Sequence, residues 1–306
     1  MQRSQVRMYA AKPAAHVLKS ISAVQWRILS VVERFMLKFE YVPCGLIAKH
    51  SKVKVENAVE LLDRLCDNEL LRKGRVRAGP GYNLTYMGYD MLALRSLSER
   101  DIIGSIGLPI AKGKESDVFD GLDSSGRRVA VKMFRIGRIS FRDFKRLRRY
   151  PKGVSSNWLR LSAEAARREF EAYRILARSG IPVPQALGVN RHVVVTEAIE
   201  GISLVESPLK ITGELLLKVI KDIRKMYLEA RVVHNDLSPY NIILDKYGNH
   251  YFIDFPQWVD PAHPDADRFL ERDIRNVVTF FKKRGVLLSV GLDDIKAYVT
   301  GKNEIV

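Results

Sequence analysis

The sequence contains no long hydrophobic run and very little cysteine. No segment approaches the roughly 18 uninterrupted apolar residues of a membrane-spanning helix, so we do not expect a membrane protein. The two cysteines, Cys44 and Cys66, are too few for a disulfide framework or a structural zinc site, which favours buried, reduced thiols. The first residues, Met1-Gln2-Arg3-Ser4, lack the apolar segment of a secretory signal. We therefore expect a cytoplasmic protein.

An excess of acidic residues is also missing, and the chain is strongly basic. It carries 51 Lys and Arg against 35 Asp and Glu, a formal charge of +16. Residues 1–100 hold 17 of these bases and 9 of the acids, so both parts of the chain share the excess. This charge favours a polyanionic partner such as RNA or DNA. A charged surface that only keeps the protein soluble is the alternative.

Residues 1–90 have the pattern of a winged-helix domain. Apolar residues recur at helical spacing in three segments, and Ser22 precedes the first of them as a helix cap. Two strand-like segments follow, with a turn predicted at Gly79-Pro80-Gly81. This order of elements is typical of a winged helix-turn-helix. A linker helix is predicted over residues 91–106.

In such a domain the third helix enters a nucleic-acid groove and the wing contacts phosphates. Basic side chains occupy the start of the predicted third helix and the predicted wing: Lys52, Lys54, Arg72, Lys73, Arg75 and Arg77. The same helix also carries the acidic residues Glu56, Glu60 and Asp63. A winged helix that binds a protein therefore remains the alternative.

The strongest chemical signal is His234-Asn235-Asp236 followed by Asn241, which has the H-x-D-x-x-x-x-N spacing of a kinase catalytic loop. Phosphoryl transfer needs a carboxylate beside the attacking oxygen, here Asp236, and an oxygen ligand for Mg²⁺, here Asn241. Asp254, in Ile253-Asp254-Phe255, is the second predicted metal ligand. Because Mg²⁺ prefers oxygen ligands, these two residues and the ATP phosphates suffice. Mn²⁺ is the alternative ion.

The residues upstream match the nucleotide-binding half of a kinase. Lys132 ends a V-A-x-K sequence, the form of the strand whose lysine holds the α- and β-phosphates. Glu169 is its predicted carboxylate partner, chosen over Glu164 and Glu171. The remaining predicted nucleotide contacts come from the loop before Lys132 and from a later strand end: Gly113, Lys114, Glu115, Ser116, Val118, Glu197 and Ile199.

These patterns together predict an α+β protein in which an N-terminal winged helix-turn-helix domain is followed by a bilobal protein-kinase-like domain. The kinase domain is predicted over residues 107–306. Its N-lobe extends to about residue 200 and its C-lobe begins at about 201, because the β-rich segments give way there to helices and the catalytic loop.

Several of these segments resemble the RIO atypical kinases. They are Gly113-Lys114-Glu115-Ser116-Asp117-Val118, His234-Asn235-Asp236, and Ile253-Asp254-Phe255-Pro256-Gln257 with His263-Pro264. The preceding domain, with Tyr82-Asn83-Leu84-Thr85 and Gly88-Tyr89-Asp90, resembles the winged-helix RIO subfamily, and the short tail after residue 280 resembles its archaeal members. The resemblance implies catalytic roles for Asp236, Asp254 and Lys132, with ATP and Mg²⁺ as cofactors. It also implies a role in maturation of the small ribosomal subunit, with ribosomal RNA or a pre-small-subunit particle as partner. Some members are thought to pass through a phosphorylated metal-site aspartate, here Asp254, and to act as ATPases.

Two features differ from ordinary protein kinases. The 52 residues after Asp254 contain no A-P-E motif, and Ser238 replaces the usual catalytic-loop lysine, so we expect limited peptide phosphorylation. The segment 135–152 holds eight basic side chains against the single acid Asp143. We expect it to contact RNA through Arg142, Arg146 and Arg149, with a merely solvated loop as the alternative. Ser140 is a candidate for autophosphorylation.

Two other functions fit part of the pattern. Small-molecule phosphotransferases of the aminoglycoside or choline kinase type share the H-x-D-x-x-x-x-N loop, but the winged helix and the basic segment weigh against them. A kinase domain without activity is the other alternative. The joint presence of Lys132, Asp236, Asn241 and Asp254 weighs against it.

Overall fold

The computed structural model describes residues 21–136, 158–287 and 289–304. The chain divides into two compact units. The first consists of the described residues up to Glu164 together with Asn190–Val193, and the second of Ala165–Val189 and the described residues from Val194 onward. Within the described ranges, no helix has the length and apolar character needed to cross a membrane.

The first unit begins with helices and a small sheet in winged-helix order. The elements are α1 (Ala23–Phe35), β1 (Val42–Pro43), α2 (Cys44–Ser51), α3 (Val55–Asp67), β2 (Leu71–Val76), β3 (Gly79–Leu84) and α4 (Tyr86–Ser98). The strands form an antiparallel sheet in the order β1-β3-β2. Ser22 caps α1 as expected, since its side chain accepts from the backbone N–H of Gln25.

The sequence predicts the turn of the wing at Gly79-Pro80-Gly81, and this is wrong. Cross-strand pairing continues to Val76 and Gly79, so the turn is the two residues Arg77 and Ala78. Pro80 is accommodated in β3, opposite Arg75. A turn-forming composition therefore marks the neighbourhood of the turn, while the pairing of the strands decides its position.

Helix α4 packs on the winged helix through a close backbone contact. Thr85 caps the helix by accepting from the N–H of Gly88. A Cβ atom on Gly88 would lie 2.2 Å from the carbonyl oxygen of Leu70, so only glycine permits this approach. Apolar side chains along the helix, among them Tyr89 and Leu92, are buried.

Three antiparallel strands complete the first unit: β4 (Ser105–Lys112), β5 (Ser116–Leu122) and β6 (Arg128–Phe134). Register shifts interrupt the β4–β5 pairing around Pro109, which cannot donate a backbone hydrogen bond. Strand β6 alternates as its sequence predicts, with Val129, Val131 and Met133 buried.

The second unit contains most of one long helix, several further helices and a small three-stranded sheet. Helix α5 (Trp158–Arg178) enters it from the first unit, and the elements that follow are β7 (Ala186–Asn190), β8 (Val193–Glu197), β9 (Gly201–Ser203), α6 (Gly213–Leu228), a single 3₁₀ turn (Pro239–Asn241), β10 (Ile242–Asp245), β11 (His250–Phe252), α7 (Ala266–Lys283) and α8 (Leu292–Val299). Strands β9, β10 and β11 form an antiparallel sheet. In the core of the second unit, Val219 of α6 and Val277 of α7 pack with Phe252 and Phe255.

The two cysteines are free thiols, as the sequence predicts. Cys44 is buried, whereas Cys66 is only half-buried, so the prediction that both are buried is correct for Cys44 alone. Burial raises the pKa of the Cys66 thiol to about 11, which keeps it protonated and unreactive near neutral pH.

Candidate active site

In the first unit, strands β5 and β6 bring the predicted phosphate-binding residues next to Lys132. Val118 is directly opposite Lys132 in the antiparallel ladder, and Ser116 is opposite Phe134. The Lys132 ammonium also lies 4.8 Å from the centre of the Phe134 ring, within cation–π range. The local β-hairpin therefore unites Ser116, Val118 and Lys132 without any long-range contact.

The loop before β5 forms a tight turn. The N–H of Gly113 donates to the carbonyl of Ser116 at 2.8 Å. Lys114 and Glu115 at the tip are exposed, while Ser116 is half-buried at the start of the strand. A Cβ on Gly113 would come within 3.2 Å of the Ser116 carbonyl oxygen, a closer approach than most side chains make.

A cluster of charged side chains around Arg135 adjoins this loop. The Arg135 guanidinium donates to Asp90 at 2.8 Å and to Asp117 at 3.2 Å, and His192 contacts Asp90 at 2.7 Å. Burial by itself would raise the pKa of Asp90, but Arg135 and His192 outweigh it and hold that pKa below its usual range. The backbone N–H of Arg135 donates to the Glu115 carbonyl at 2.6 Å.

This cluster corrects one expectation. The sequence places Arg135 among the basic residues of segment 135–152 that would contact RNA, but its side chain is buried and neutralised by two carboxylates. Neither Asp90 nor His192 stands out in the sequence as a site residue. The other predicted residues of that segment, Ser140, Arg142, Arg146 and Arg149, lie outside the described residues.

In the second unit, the predicted adenine-binding residues lie where strand β8 ends. The N–H of Glu197 donates to the carbonyl of Gln185 at 3.0 Å, and its carboxylate accepts from the N–H of Gln185 at 3.1 Å. The Thr196 hydroxyl donates to the Glu197 carbonyl at 3.0 Å. Ile199 follows in irregular backbone, and its carbonyl accepts from the N–H of Gly201. The segment is thus rigidly held, and its role in adenine binding stays a prediction.

The catalytic loop and the predicted metal ligands adjoin one another in the second unit. The Asn241 amide donates to the Asp236 carbonyl at 2.9 Å, which leaves Oδ1 of Asn241 as the oxygen available to a cation. The Asn241 carbonyl accepts from the N–H of Ile253 at 3.0 Å, so Asn241 lies beside Asp254. Asp254 has a φ of 72°, a left-handed conformation that is uncommon outside glycine and concentrates at functional sites.

These residues fit a magnesium ion. One amide oxygen, one carboxylate and nucleotide phosphates supply the oxygen ligands that Mg²⁺ prefers. Among the described residues, no three His, Cys, Asp or Glu side chains cluster as an all-protein metal site. Asp236 is exposed, which its predicted contact with a phosphoryl acceptor requires.

Asp273, on helix α7, anchors the catalytic loop and was missed from the sequence. Its carboxylate is buried and accepts from the backbone N–H groups of Asn235 and Leu237, on either side of Asp236. Burial raises the pKa of Asp273 to about 7, partly offset by those two N–H groups and Arg272. The available signal was an acidic residue on the apolar stripe of an amphipathic helix, next to Ile274.

Glu169 is buried on helix α5, near Tyr173 one turn later. The Tyr173 hydroxyl accepts from the backbone N–H of Asp254 at 3.2 Å, and burial together with the charge of Glu169 raises the pKa of Tyr173. Glu171 is exposed and contacts Arg167, which favours Glu169 as the functional carboxylate. Lys132 belongs to the first unit and Glu169 to the second, so their pairing stays a prediction.

The predicted nucleic-acid residues of the winged helix are all exposed. Five of them carry no ion pair among the described residues: Lys52, Lys54, Arg72, Arg75 and Arg77. Lys73 differs, since its ammonium binds Asp63 at 2.8 Å. The strand alternation places Lys73 and Arg75 on one face of β2, and Arg77 follows in the turn. Lys73 is therefore the weakest candidate for a phosphate contact.

Comparison with known proteins places these features in a family. The RIO domain profile matches residues 117–295, and the profile of the Rio2 N-terminal domain matches residues 18–100. The serine/threonine-protein kinase RIO2 of Caenorhabditis elegans is 36% identical over 270 residues, which are 88% of this chain and 51% of that protein. The chain thus spans about half the length of this relative.

A second relative matches along its whole length. The RIO-type serine/threonine-protein kinase Rio2 of Methanocaldococcus jannaschii is 34% identical over 275 residues, which are 87% of this chain and 100% of that protein. Among solved structures, the Rio2 kinase–ADP/Mg²⁺–phosphoaspartate complex from Chaetomium thermophilum has a TM-score of 0.80 at 30% identity. The match covers 94% of this chain and 89% of that one.

The predicted fold class, a winged-helix domain ahead of a kinase-like domain, is confirmed by these matches. The predicted resemblance is confirmed as well. The chain therefore belongs to the RIO family of ATP-dependent serine/threonine protein kinases, in the group that carries the Rio2 N-terminal winged-helix domain.

Proposed function

We propose that this chain binds Mg-ATP and transfers its γ-phosphoryl group, with Asp236 as the carboxylate beside the attacking oxygen. Asn241 and Asp254 hold the magnesium ion, which neutralises the phosphate charge when it is bound with nucleotide. Lys132 anchors the α- and β-phosphates, and the backbone of Glu197 and Ile199 pairs with adenine. The remaining nucleotide contacts come from the loop that contains Gly113 and Ser116.

One observation carries this proposal. The hydrogen bond from the N–H of Ile253 to the Asn241 carbonyl brings Asn241 next to Asp254, while the Asn241 side chain reaches the backbone of Asp236. Three residues from two motifs are thus joined within a few bonds. Phosphoryl transfer depends on such positioning because the protein supplies little covalent chemistry of its own.

We further propose that Asp254 accepts a phosphoryl group during an ATPase cycle. The Chaetomium thermophilum relative is described as a phosphoaspartate complex with ADP and Mg²⁺. In this step the bond from the γ-phosphorus to the β-bridging oxygen breaks, a bond to an Asp254 carboxylate oxygen forms, and ADP leaves. Water then cleaves the acyl phosphate and releases inorganic phosphate.

Incubation with γ-labelled Mg-ATP tests both proposals. An acyl phosphate on Asp254 is labile to hydroxylamine, whereas a phosphoserine is stable. We expect hydroxylamine-labile label on the wild type, none on Asp254→Asn, and loss of transfer in Asp236→Asn with nucleotide binding retained. Hydroxylamine-stable label that disappears in Ser140→Ala would instead indicate autophosphorylation at that serine. Equal labelling of wild type and Asp236→Asn would refute the proposed role of Asp236.

We also propose that the natural partner is a small-subunit ribosomal particle or its RNA, and that peptides are poor substrates. The formal charge of +16 and the exposed bases of the wing support an RNA partner. The absence of an A-P-E motif after Asp254 supports the limited use of peptides. Turnover of a generic serine peptide should remain far below ATP hydrolysis. Replacing Mg²⁺ by Mn²⁺ in the same assay tests the alternative ion.

A further inference from the structure

The backbone that follows Asp254 is held at five consecutive carbonyl groups. Each carbonyl from Phe255 to Val259 accepts a hydrogen bond. The donors are, in chain order, the N–H of Trp258, the guanidinium of Arg168, the amide of Asn235, the Arg168 guanidinium again, and the N–H of Val233. In a chain segment without regular structure, such complete pairing means a fixed conformation.

Arg168 and Trp258 form a reciprocal contact within this arrangement. The guanidinium of Arg168 donates to the carbonyls of Pro256, at 3.2 Å, and of Trp258. In return the indole N–H of Trp258 donates to the Arg168 carbonyl at 3.0 Å. The guanidinium carbon lies 5.3 Å from the centre of the Trp258 ring, within cation–π range. Each residue thus binds the backbone of the other.

The contact joins two elements that each carry a proposed site residue. Arg168 immediately precedes Glu169 on helix α5, and the segment bound by Arg168 begins two residues after Asp254. One turn further along the same helix, Tyr173 accepts from the backbone N–H of Asp254 at 3.2 Å. Side chains of helix α5 therefore form hydrogen bonds with the backbone both at Asp254 and just after it.

We propose that Arg168 and Trp258 are positioning residues that hold the Asp254 carboxylate in its magnesium-binding place by tying segment 255–259 to helix α5. The inference rests on the proposed function, since it assumes that Asp254 is a metal ligand. Neither residue needs to touch nucleotide or metal for this role. Their effect reaches the metal through the backbone of Asp254, whose left-handed conformation needs support from its surroundings.

The reciprocal contact also bears on control of the enzyme. In many protein kinases the segment after the metal-binding aspartate moves, and phosphorylation orders it. Here that segment is already bound at every carbonyl from 255 to 259. The backbone after Asp254 is thus held in the unmodified chain.

The test compares ADP binding with and without Mg²⁺ by calorimetry. Trp258→Phe removes the indole N–H but keeps an aromatic ring for the guanidinium, and Arg168→Gln removes both carbonyl contacts. We expect the Mg²⁺-dependent gain in ADP affinity to fall by about 3- to 10-fold in each variant, the effect of one or two hydrogen bonds. ADP affinity in EDTA should stay within about 2-fold of the wild type. Because the contact is reciprocal, the double variant should lose little more than either single one.

Arg174→Gln is the matched control. Arg174 lies on the same helix, is exposed, and has its guanidinium 6.0 Å from the Phe170 ring. The same change of charge there should leave ADP binding unchanged in both conditions. Should Arg168→Gln fail to fold, Trp258→Phe decides the question, since it retains an aromatic ring and most of the volume.

The outcomes separate this inference from the proposed function. An unchanged Mg²⁺ gain in folded Trp258→Phe, or an equal loss of ADP affinity with Mg²⁺ and with EDTA, would overturn the positioning role. A wild type that binds ADP equally well with and without Mg²⁺ would instead overturn the proposed metal site, and the positioning role with it.

Discussion

The buried carboxylate of Asp273 accepts a 2.7 Å hydrogen bond from the backbone N–H of Asn235. A second N–H, that of Leu237, donates to the other carboxylate oxygen at 3.1 Å. The peptide groups on either side of Asp236 are therefore held by the side chain of Asp273, which lies 37 positions further along the sequence. Asn235 itself has a φ of 63°, so the loop is held in a conformation that most residues avoid.

This arrangement predicts a pH-dependent stability. The pKa of Asp273 is raised to about 7, above its value in the unfolded chain, so the native state retains a proton that the unfolded state releases. The free energy of unfolding should therefore fall as pH rises from about 4 to about 7, by at most about 4 kcal/mol from this group. Asp273→Asn cannot ionise and should lose this part of the dependence. Thermal unfolding of both proteins across pH 4–8 measures it, and parallel profiles would contradict the assignment.

The buried cluster in the first unit predicts a large effect of Arg135→Met. The variant removes the guanidinium from the buried carboxylate of Asp117 and the half-buried one of Asp90, and breaking a buried ion pair in this way costs about 3–5 kcal/mol. Arg127→Met is the matched control, because the Arg127 guanidinium is exposed where it meets Asp123. Urea unfolding should show a large shift for the first variant and little for the second. Similar midpoints for both would contradict the cluster.

Two glycines in the winged helix predict opposite effects of alanine. Gly88→Ala would place its Cβ 2.2 Å from the backbone oxygen of Leu70, which cannot move aside easily, so we expect a loss of about 1–3 kcal/mol or more. Gly45, on helix α2, is exposed, and no neighbouring atom lies within 4 Å of the position that an alanine Cβ would take there. Gly45→Ala should raise the free energy of unfolding by about 0.5–1 kcal/mol. Thermal melts compare the pair, and stabilisation by Gly88→Ala would contradict the packing of α4.

The wing predicts a specific change in the salt dependence of RNA binding. Arg75→Gln with Arg77→Gln removes two exposed charges, and the slope of log affinity against log salt should decrease by about 2 on a small-subunit ribosomal RNA transcript. Lys73→Gln should change the slope less, because Asp63 already neutralises that ammonium. Unchanged affinity and slope in the double variant would favour the alternative, a winged helix that binds a protein. A variant lacking the charges of Arg142, Arg146 and Arg149 tests the second basic segment in the same assay.

Local pattern was enough to predict which candidate site residues lie next to one another along the chain. The H-x-D-x-x-x-x-N loop spans only eight residues, and the hairpin that joins Val118 to Lys132 is built from neighbouring strands. In such segments the spacing of residues nearly fixes their geometry. Features that depend on distant partners were missed. Asp273 and Tyr173 look in the sequence like ordinary members of helices, although each binds the backbone of a catalytic segment.

The sequence by itself determined which chemical groups are present. They are a lysine, a carboxylate and an amide at kinase spacing, and they follow a basic winged-helix domain in the chain. Only the tertiary structure decided that Arg135 is buried instead of exposed, and that Arg168 meets Trp258 across 90 positions of sequence. The reason is physical. The rotation of a helix about its axis and the approach of distant backbone follow from the packing of the whole core, which no local spacing encodes.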